Sequence, residues 1–408
     1  VSHPIQYQAP LLRRIALEPD IDLTVFFGSD FSVRGYADKG FGGVDVKWDV
    51  PLVEGYKHEF LPVIRDNATV SPLAPINRGI VGRLRGHPGS RGRANDGPFD
   101  ILWVHGYASV NALHGILAAN ALGIPVLLRA ESTLIDRPRS RWKLLAKHLF
   151  FGLLRRLIDG VLPIGTLNAA YWRHYLGEDF PAWPMPYAVD NAWFRDRTLA
   201  AAAGRSALQG ELNLDPARPV ILFASKLQER KRCIDLLEAW LQLAPAPGAE
   251  PHPYLVIVGD GEERPALEAR AAASGADGIR FCGFRNQSEL PRFFDLATVF
   301  VLPSRHEPWG LIVNEVMNAG RPVILTSDVG CQPDLIADGV EGCVIPAGDV
   351  PALTAALRRV LEVPVAAERM GRAALERIRA WDFESDVRGL RDAISVLTRK
   401  IPSAVNNL

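Results

Sequence analysis

Short apolar runs alternate with amphipathic helical patterns along nearly the whole chain, and the alternation occurs in two separate series. No other feature constrains the fold as much. A short apolar run, a helix and a second such run form a βαβ unit, whose strands lie parallel and whose helices cover the sheet faces. In the first series the predicted strands are Asp22–Phe27, Ile101–His105, Pro125–Leu128 and Val161–Ile164, and the helical patterns include Arg141–Leu157 and Leu167–Tyr175. The second series starts at Pro219. Its predicted strands are Val220–Ala224, Tyr254–Val258, Ile279–Cys282, Val299–Leu302 and Pro322–Thr326, with helices at Cys233–Leu243, Glu263–Ala273 and Ser288–Leu296. Two doubly wound α/β halves follow, and a length of 408 residues accommodates two cores better than one. The reading divides the chain into residues 1–190 and 191–380, joined through Pro184–Ala203. A C-terminal helix at about 381–400, starting after Trp381-Asp382-Phe383, packs back on the first domain.

Composition narrows the class. Hydrophobic residues make up 48% and charged residues 23%, the usage of an ordinary globular chain. The formal net charge is zero, which argues against nucleic acid as a partner, since that function usually needs a strongly basic domain. No apolar run approaches the ~20 residues of a membrane span. Cys233, Cys282, Cys331 and Cys343 have no metal-ligand spacing and read as free thiols in a reducing compartment. The chain starts at Val1, so the strand that opens such a domain either begins there or is missing. Residues Arg65–Asp100 are rich in Gly and Pro and carry six Arg against three Asp. They read as a mobile basic loop with a short helix near Ile76–Leu84. Two roles stay open for it: a solvated insertion, or a contact to an anionic acceptor or membrane surface.

The most informative segment is Glu307-Pro308-Trp309-Gly310-Leu311-Ile312-Val313-Asn314-Glu315, which follows the strand ending Leu302-Pro303-Ser304. It reads as a helix opening near Glu307 and stopped by Gly320. Ligands of open α/β sheets sit beyond the carboxyl ends of the strands, where free helix N–H groups suit a diphosphate. About eight residues of helix rise about 12 Å, roughly the span from the sugar to the ribose of a nucleotide sugar. Glu307 could then meet the sugar while Glu315 accepts from both ribose hydroxyls. Both could equally be surface charges on an amphipathic helix. After Val220–Ala224 comes the basic run Ser225-Lys226-Leu227-Gln228-Glu229-Arg230-Lys231-Arg232. Lys226 and Lys231 there are suited to neutralise a departing diphosphate, unless the run is simply solvated. Gly259 and Gly261 follow the next strand, as a plain βα turn or a close approach to ligand. Phe284 and Arg285 follow the one after, where backbone groups can read a base edge. In the first half, His105 and the Arg129-Ala130-Glu131 sequence end strands, and Arg129 with Glu131 could be a structural ion pair.

Together these residues resemble the family 4 retaining glycosyltransferases of the GT-B fold, two Rossmann-like domains facing each other across a cleft. The likeness is most specific in Glu307–Glu315, flanked by Val301-Leu302-Pro303-Ser304 and Gly320-Arg321-Pro322-Val323. Pro186-Tyr187-Ala188-Val189-Asp190 and Phe194 are similar to the family's domain connection. Ser2-His3-Pro4-Ile5-Gln6-Tyr7-Gln8 resembles the opening of bacterial members that build surface polysaccharides. The resemblance implies Glu307 beside the donor sugar, Glu315 on the ribose, Lys226 and Lys231 on the diphosphate, and His105 near the sugar's outer hydroxyls. Gly310, Leu311, Ile312, Gly259, Phe284, Arg285 and Glu131 complete the implied donor site. It implies no metal and no cofactor, with the leaving phosphate helping to take the acceptor proton. Lys226 stands where the family usually has Arg, and Ser225 and Arg232 stand where Gly is common.

The expectation is therefore a cytoplasmic hexosyltransferase. It takes a UDP- or GDP-linked sugar to a glycan or lipid-linked acceptor in polysaccharide biosynthesis, peripheral on the inner face of an anionic membrane. The alternatives are a sugar-nucleotide epimerase of the same fold and a non-catalytic, degenerate transferase scaffold.

Overall fold

The computed structural model describes residues 1–66, 71–86, 99–135, 140–243 and 252–399. The chain divides into two compact units. Val1–Tyr36, Pro51–Tyr187 and the C-terminal residues from Phe383 form one; Ala37–Val50 and Ala188–Asp382 form the other. The departure from the sequence reading is Ala37–Val50, which stands among the first series of strands yet belongs to the second unit. Most of the segment read as a linker is also structured: Asn191–Ala201 is a helix of the second unit. Its start is fixed by Asp190, whose side chain accepts from the Trp193 N–H at 2.9 Å.

In chain order, the first nine strands are Thr24–Phe27 (β1), Tyr36–Asp38 (β2), Val44–Val46 (β3), Lys57–Phe60 (β4), Val63–Arg65 (β5), Ile76–Asn77 (β6), Leu102–His105 (β7), Val126–Arg129 (β8) and Gly160–Val161 (β9). β2 and β3 form a small ribbon. In the first unit β1 pairs parallel with β4, and β7, β8 and β9 form a parallel three-stranded sheet. Among the described residues the two sheets share no ladder. Between them lies a cavity of about 1630 Å³, lined by Thr24, Val25 and Phe26 on one side and Leu102, Trp103 and Val104 on the other. Among the described residues β7 is the edge strand of its sheet, paired with β8 alone. Alternate N–H groups of a parallel strand point to opposite sides. Those of Leu102 and Gly106 donate to Pro125 and Arg129 on the β8 side, so those of Trp103 and His105 point the other way. At the far end of β1, the Gly28 N–H donates to the Val1 carbonyl at 3.0 Å.

The helix Phe383–Arg399 belongs to this unit. Its Val387, Leu390, Ala393 and Leu397 pack on Leu11, Ile15, Leu127 and Leu162. Asp386 on the same helix is fully buried and pairs with Arg129 at 3.1 Å. In the region read as a basic loop, the helix is shorter than expected, Ile80–Leu84, and Arg91 and Arg93 lie outside the described residues.

The second unit is built on Val220–Ala224 (β10), Tyr254–Val258 (β11), Ile279–Gly283 (β12), Val299–Leu302 (β13), Val323–Thr326 (β14) and Gly342–Ile345 (β15). All six lie parallel in the order β12-β11-β10-β13-β14-β15. Every residue of β10, β11, β13 and β14 is buried, as a sheet covered by helices on both faces requires. Ile221, Phe223, Leu255, Ile257, Val299 and Val301 pack against Leu236, Leu237 and Trp240 of the helix Cys233–Leu241 on one face. The strand order reverses between β10 and β13. That makes the crevice beyond their carboxyl ends the topological switch point, where sheets of this order bind ligands.

Candidate functional site

The loops leaving β10 and β13 bring the strongest sequence candidates together. After β10 the chain makes a short turn through Glu229–Lys231 and starts its next helix at Cys233. Arg232 holds the left-handed conformation between them, φ +53°, a position that favours glycine. Its side chain is tied to Asp235 at 2.8 Å. This turn aims Arg230 and Lys231 across to Glu307, which lies beyond β13. Arg230 Nη1 reaches Glu307 Oε2 at 3.0 Å, and Lys231 Nζ bonds the same oxygen. Lys231 and Glu307 are both buried. Burial alone would raise the Glu307 carboxyl, but the Lys231 and Arg230 charges outweigh it and hold the group below the usual carboxylate range. Burial pulls the Lys231 ammonium down, against the pull of Glu307. The result is an ionised carboxylate bracketed by two cations.

Glu307 does not lie in a helix, which corrects the sequence reading. It bridges to Val329, its N–H donating to the Asp328 carbonyl and its carbonyl accepting from Gly330 N–H. The helix begins only at Leu311 and ends at Met317. The reason is local: a residue before proline avoids the helical region, and Gly310 turns left-handed at φ +92°. The expected 12 Å helical rise from Glu307 to Glu315 therefore does not apply. Leu311 and Ile312 form the first helical residues, and Trp309 stacks on Trp381 with centroids 5.6 Å apart.

Glu315 stands one turn into that helix, buried, and its Oε2 has no hydrogen-bond partner among the described residues. Burial pushes its carboxyl up to about 8. A buried polar atom left unpaired in this way is costly, and it is the kind of group that a ligand's hydroxyl can satisfy.

Gly259 and Gly261 pass close to the backbone that follows β10. A Cβ on Gly259 would sit 1.9 Å from the Ser225 carbonyl oxygen, and one on Gly261 would sit 2.3 Å from that of Leu227. Glycine is needed here for backbone to pass backbone. Phe284, beyond β12, contacts Phe41 and Trp48 with centroids 4.8 and 6.3 Å away. Arg285 is engaged by Glu289 at 3.3 Å. Lys226 is paired with Asp38, Nζ to Oδ2 2.8 Å. Neither Arg230 nor Asp38 was among the sequence candidates. Arg230 was visible in the basic run; no local signal marks Asp38, which is 188 residues from Lys226.

His105 and Glu131 belong to the first unit. The Gln8 amide nitrogen donates to His105 Nε2 at 2.8 Å, which leaves the ring proton on Nδ1. Burial, with Arg129 nearby, lowers His105 to about 3, so the ring is neutral. Glu131 accepts from the Tyr187 hydroxyl at 2.6 Å. Arg129 is paired with Asp386.

The family model described as "Glycosyl transferases group 1" matches residues 205–377, which include β10 to β15 and the cation–carboxylate cluster. D-inositol 3-phosphate glycosyltransferase of Streptomyces avermitilis is 32% identical over 354 residues, 83% of this chain and 70% of that protein. Alpha-D-kanosaminyltransferase of Streptomyces kanamyceticus is 34% identical over 173 residues; the match spans 42% of this chain and 44% of that protein, less than half its length. Among solved structures, Anabaena HepE in complex with UDP and glucose superposes with a TM-score of 0.66 at 16% identity, covering 95% of each chain. The fold is GT-B, and the chain belongs to the glycosyl transferases group 1 family.

Proposed function

We propose that the chain is a retaining, metal-independent glycosyltransferase that moves a hexose from a UDP- or GDP-linked donor to a glycan or lipid-linked acceptor in polysaccharide biosynthesis. The observation that carries this reading is the cluster at the switch point of the second unit, where Lys226, Arg230, Lys231 and Glu307 converge beyond β10 and β13. In the transfer, the bond from the sugar's anomeric carbon to the diphosphate oxygen breaks and a bond to the acceptor oxygen forms. The acceptor proton leaves with the phosphate. Negative charge grows on the diphosphate as this happens, and fixed cations there stabilise the transition state more than the ground state. Glu315, with its unpaired buried oxygen, takes the ribose hydroxyls. The HepE complex with UDP and glucose supports a UDP-linked hexose as donor.

The test is a panel of nucleotide sugars against the purified protein, read by thermal shift and by transfer or hydrolysis, with the product anomer determined by NMR. Stabilisation by mass action and a retained anomer are expected. No shift with any nucleotide sugar, or an inverted product, refutes the reading.

A lipid-linked acceptor and a membrane surface are favoured by the helix Arg141–Leu154. Trp142, Leu145, Leu149 and Leu153 recur on one face, each between 51% and 80% exposed, with Arg141 and Lys143 beside them and Arg155 and Arg156 following. This suits a helix lying in a lipid headgroup layer, where each basic residue adds about 1 kcal/mol on an anionic surface. Co-sedimentation with anionic vesicles should be salt-sensitive and lost in a Trp142→Ser, Leu149→Ser variant; unchanged sedimentation of that variant rejects the assignment.

A further inference from the structure

Among the second unit's own residues, the segment 37–50 lies over the carboxyl ends of three neighbouring strands. After β10, Lys226 Nζ bonds both carboxylate oxygens of Asp38, at 2.8 and 3.1 Å, and stands 4.7 Å from the centre of the Phe41 ring. After β11, Gly42 comes so close to Gly261 that a Cβ would lie 3.4 Å from its Cα. After β12, Phe284 meets Phe41 and Trp48, and Asn286 Nδ2 donates to the Lys47 carbonyl at 2.6 Å. Asp38 also fixes the turn itself, since its Oδ1 accepts from the Gly40 N–H at 2.7 Å.

The charges decide what this arrangement does. Three cations, Lys226, Arg230 and Lys231, face two carboxylates, Glu307 and Asp38. A diphosphate entering this cluster brings at least two negative charges, so one carboxylate must give way. Glu307 is the wrong one. It is buried, held by two cations and clamped into the β-bridge with Val329, and withdrawing it would strand the buried Lys231 charge. Asp38 is the exchangeable one. Its side chain is as buried as that of Glu307, but its partner Lys226 is 33% exposed, so withdrawing Asp38 leaves a cation that water can reach, and not a buried one.

Resting on the donor-site reading above, we propose that Asp38 is a resident counter-anion of the diphosphate site. It occupies Lys226 in the nucleotide-free protein, is displaced by the donor's diphosphate, and so sets donor affinity and couples donor entry to movement of the Asp38–Gly43 turn. Asp38 is a specificity residue in this scheme, not a catalytic one. It weakens every ligand that must claim Lys226, and weakens most those that bring little charge to replace it.

Calorimetry on the full chain with UDP, GDP, inorganic pyrophosphate and uridine tests this. Asp38→Asn keeps an oxygen to accept from Gly40 but removes the charge; Asp38→Ser is a second neutral variant should the first fold poorly. Both should bind UDP or GDP, and pyrophosphate, about fivefold tighter, with uridine unchanged. Placing Lys226→Gln in either background should abolish the gain. Equal or weaker diphosphate binding in the neutral variants overturns the proposal while leaving the donor site standing. An equal gain for uridine also overturns it, since that would report a general loosening of the turn. Absence of any nucleoside diphosphate binding by the wild-type chain, together with no effect of Lys231→Ala, brings down the donor-site reading and this inference with it.

Discussion

Glu315 offers the sharpest physical test, because its predicament is thermodynamic before it is functional. The carboxyl is buried, one oxygen has no partner among the described residues, and burial raises its pKa from 4.5 to about 8. The sign follows from proton linkage. An acid whose folded pKa lies above its unfolded value holds its proton more tightly when folded. Its contribution to stability is therefore fully present below pH 4.5 and is lost as pH rises through 8. At about 1.4 kcal/mol per unit, an interval of about 3.5 units has a ceiling of about 5 kcal/mol. Glu315→Gln keeps the shape and removes the titration. Its melting temperature should match wild type near pH 5 and exceed it near pH 9. At about 2–4 °C per kcal/mol for a unit of this size, the gap is on the order of 10 °C. A difference that is the same at both pH values would refute the reasoning. Function adds a second readout. Ribose hydroxyls donating to the carboxylate would favour its ionised form, so nucleotide binding should release a proton near pH 7 and flatten the wild-type pH slope. The same substitution should raise KM more than it lowers kcat, because ribose contacts exist in ground and transition states alike.

Two further outcomes are expected. Transfer should persist in excess EDTA, with Lys226, Arg230 and Lys231 carrying the diphosphate; complete loss rescued by Mg²⁺ would contradict this. His105→Ala should lower kcat while nucleoside diphosphate affinity, measured by calorimetry, changes less than tenfold, about 1.4 kcal/mol; with its pKa near 3, His105 should give no limb in the wild-type rate profile between pH 5 and 9.

The parts of the fold legible from sequence are those whose local pattern and tertiary burial agree. Val220–Ala224, Tyr254–Val258 and Val299–Leu302 read as continuous apolar runs because the sheet is covered on both faces, and their bounds match. β15 was missed because it opens with Gly342, which looks like a turn. The glycine is there because a Cβ would sit 1.8 Å from the Val323 carbonyl oxygen of the adjacent strand. The helix of the Glu307 segment starts four residues later than the carboxylate spacing suggests, because Pro308 and the left-handed Gly310 keep the preceding chain out of the helical region. At the site, the cations were visible as a basic run following a strand. Their partners were not, since Glu307 is 76 residues from Lys231 and only the parallel crossover brings the two loops together. The same holds more strongly for Asp38, which belongs by sequence to one series of strands and by packing to the other.

Glu307 can be tested without assuming which sugar is transferred. If its role in the free protein is to balance Lys231 and Arg230, then Glu307→Gln leaves a buried ammonium with no carboxylate on it. Breaking one side of a buried pair in this way costs about 3–5 kcal/mol, far more than the loss of an exposed one. Lys231 should respond by releasing its proton more readily, so the variant's deficit should be largest near neutral pH, shrinking at alkaline pH as Lys231 deprotonates and at acid pH where the wild-type carboxylate is itself protonated. A diphosphate supplies the missing negative charge. UDP or GDP should therefore stabilise Glu307→Gln by a larger margin than it stabilises wild type at the same free concentration, even though the variant is defective in transfer. A surface glutamate would show neither effect. A melting temperature within a degree of wild type, or a nucleotide-induced shift no larger than wild type's, would show that Lys231 does not depend on Glu307 for its charge balance, and the electrostatic account of the site would have to be rebuilt around the other cations.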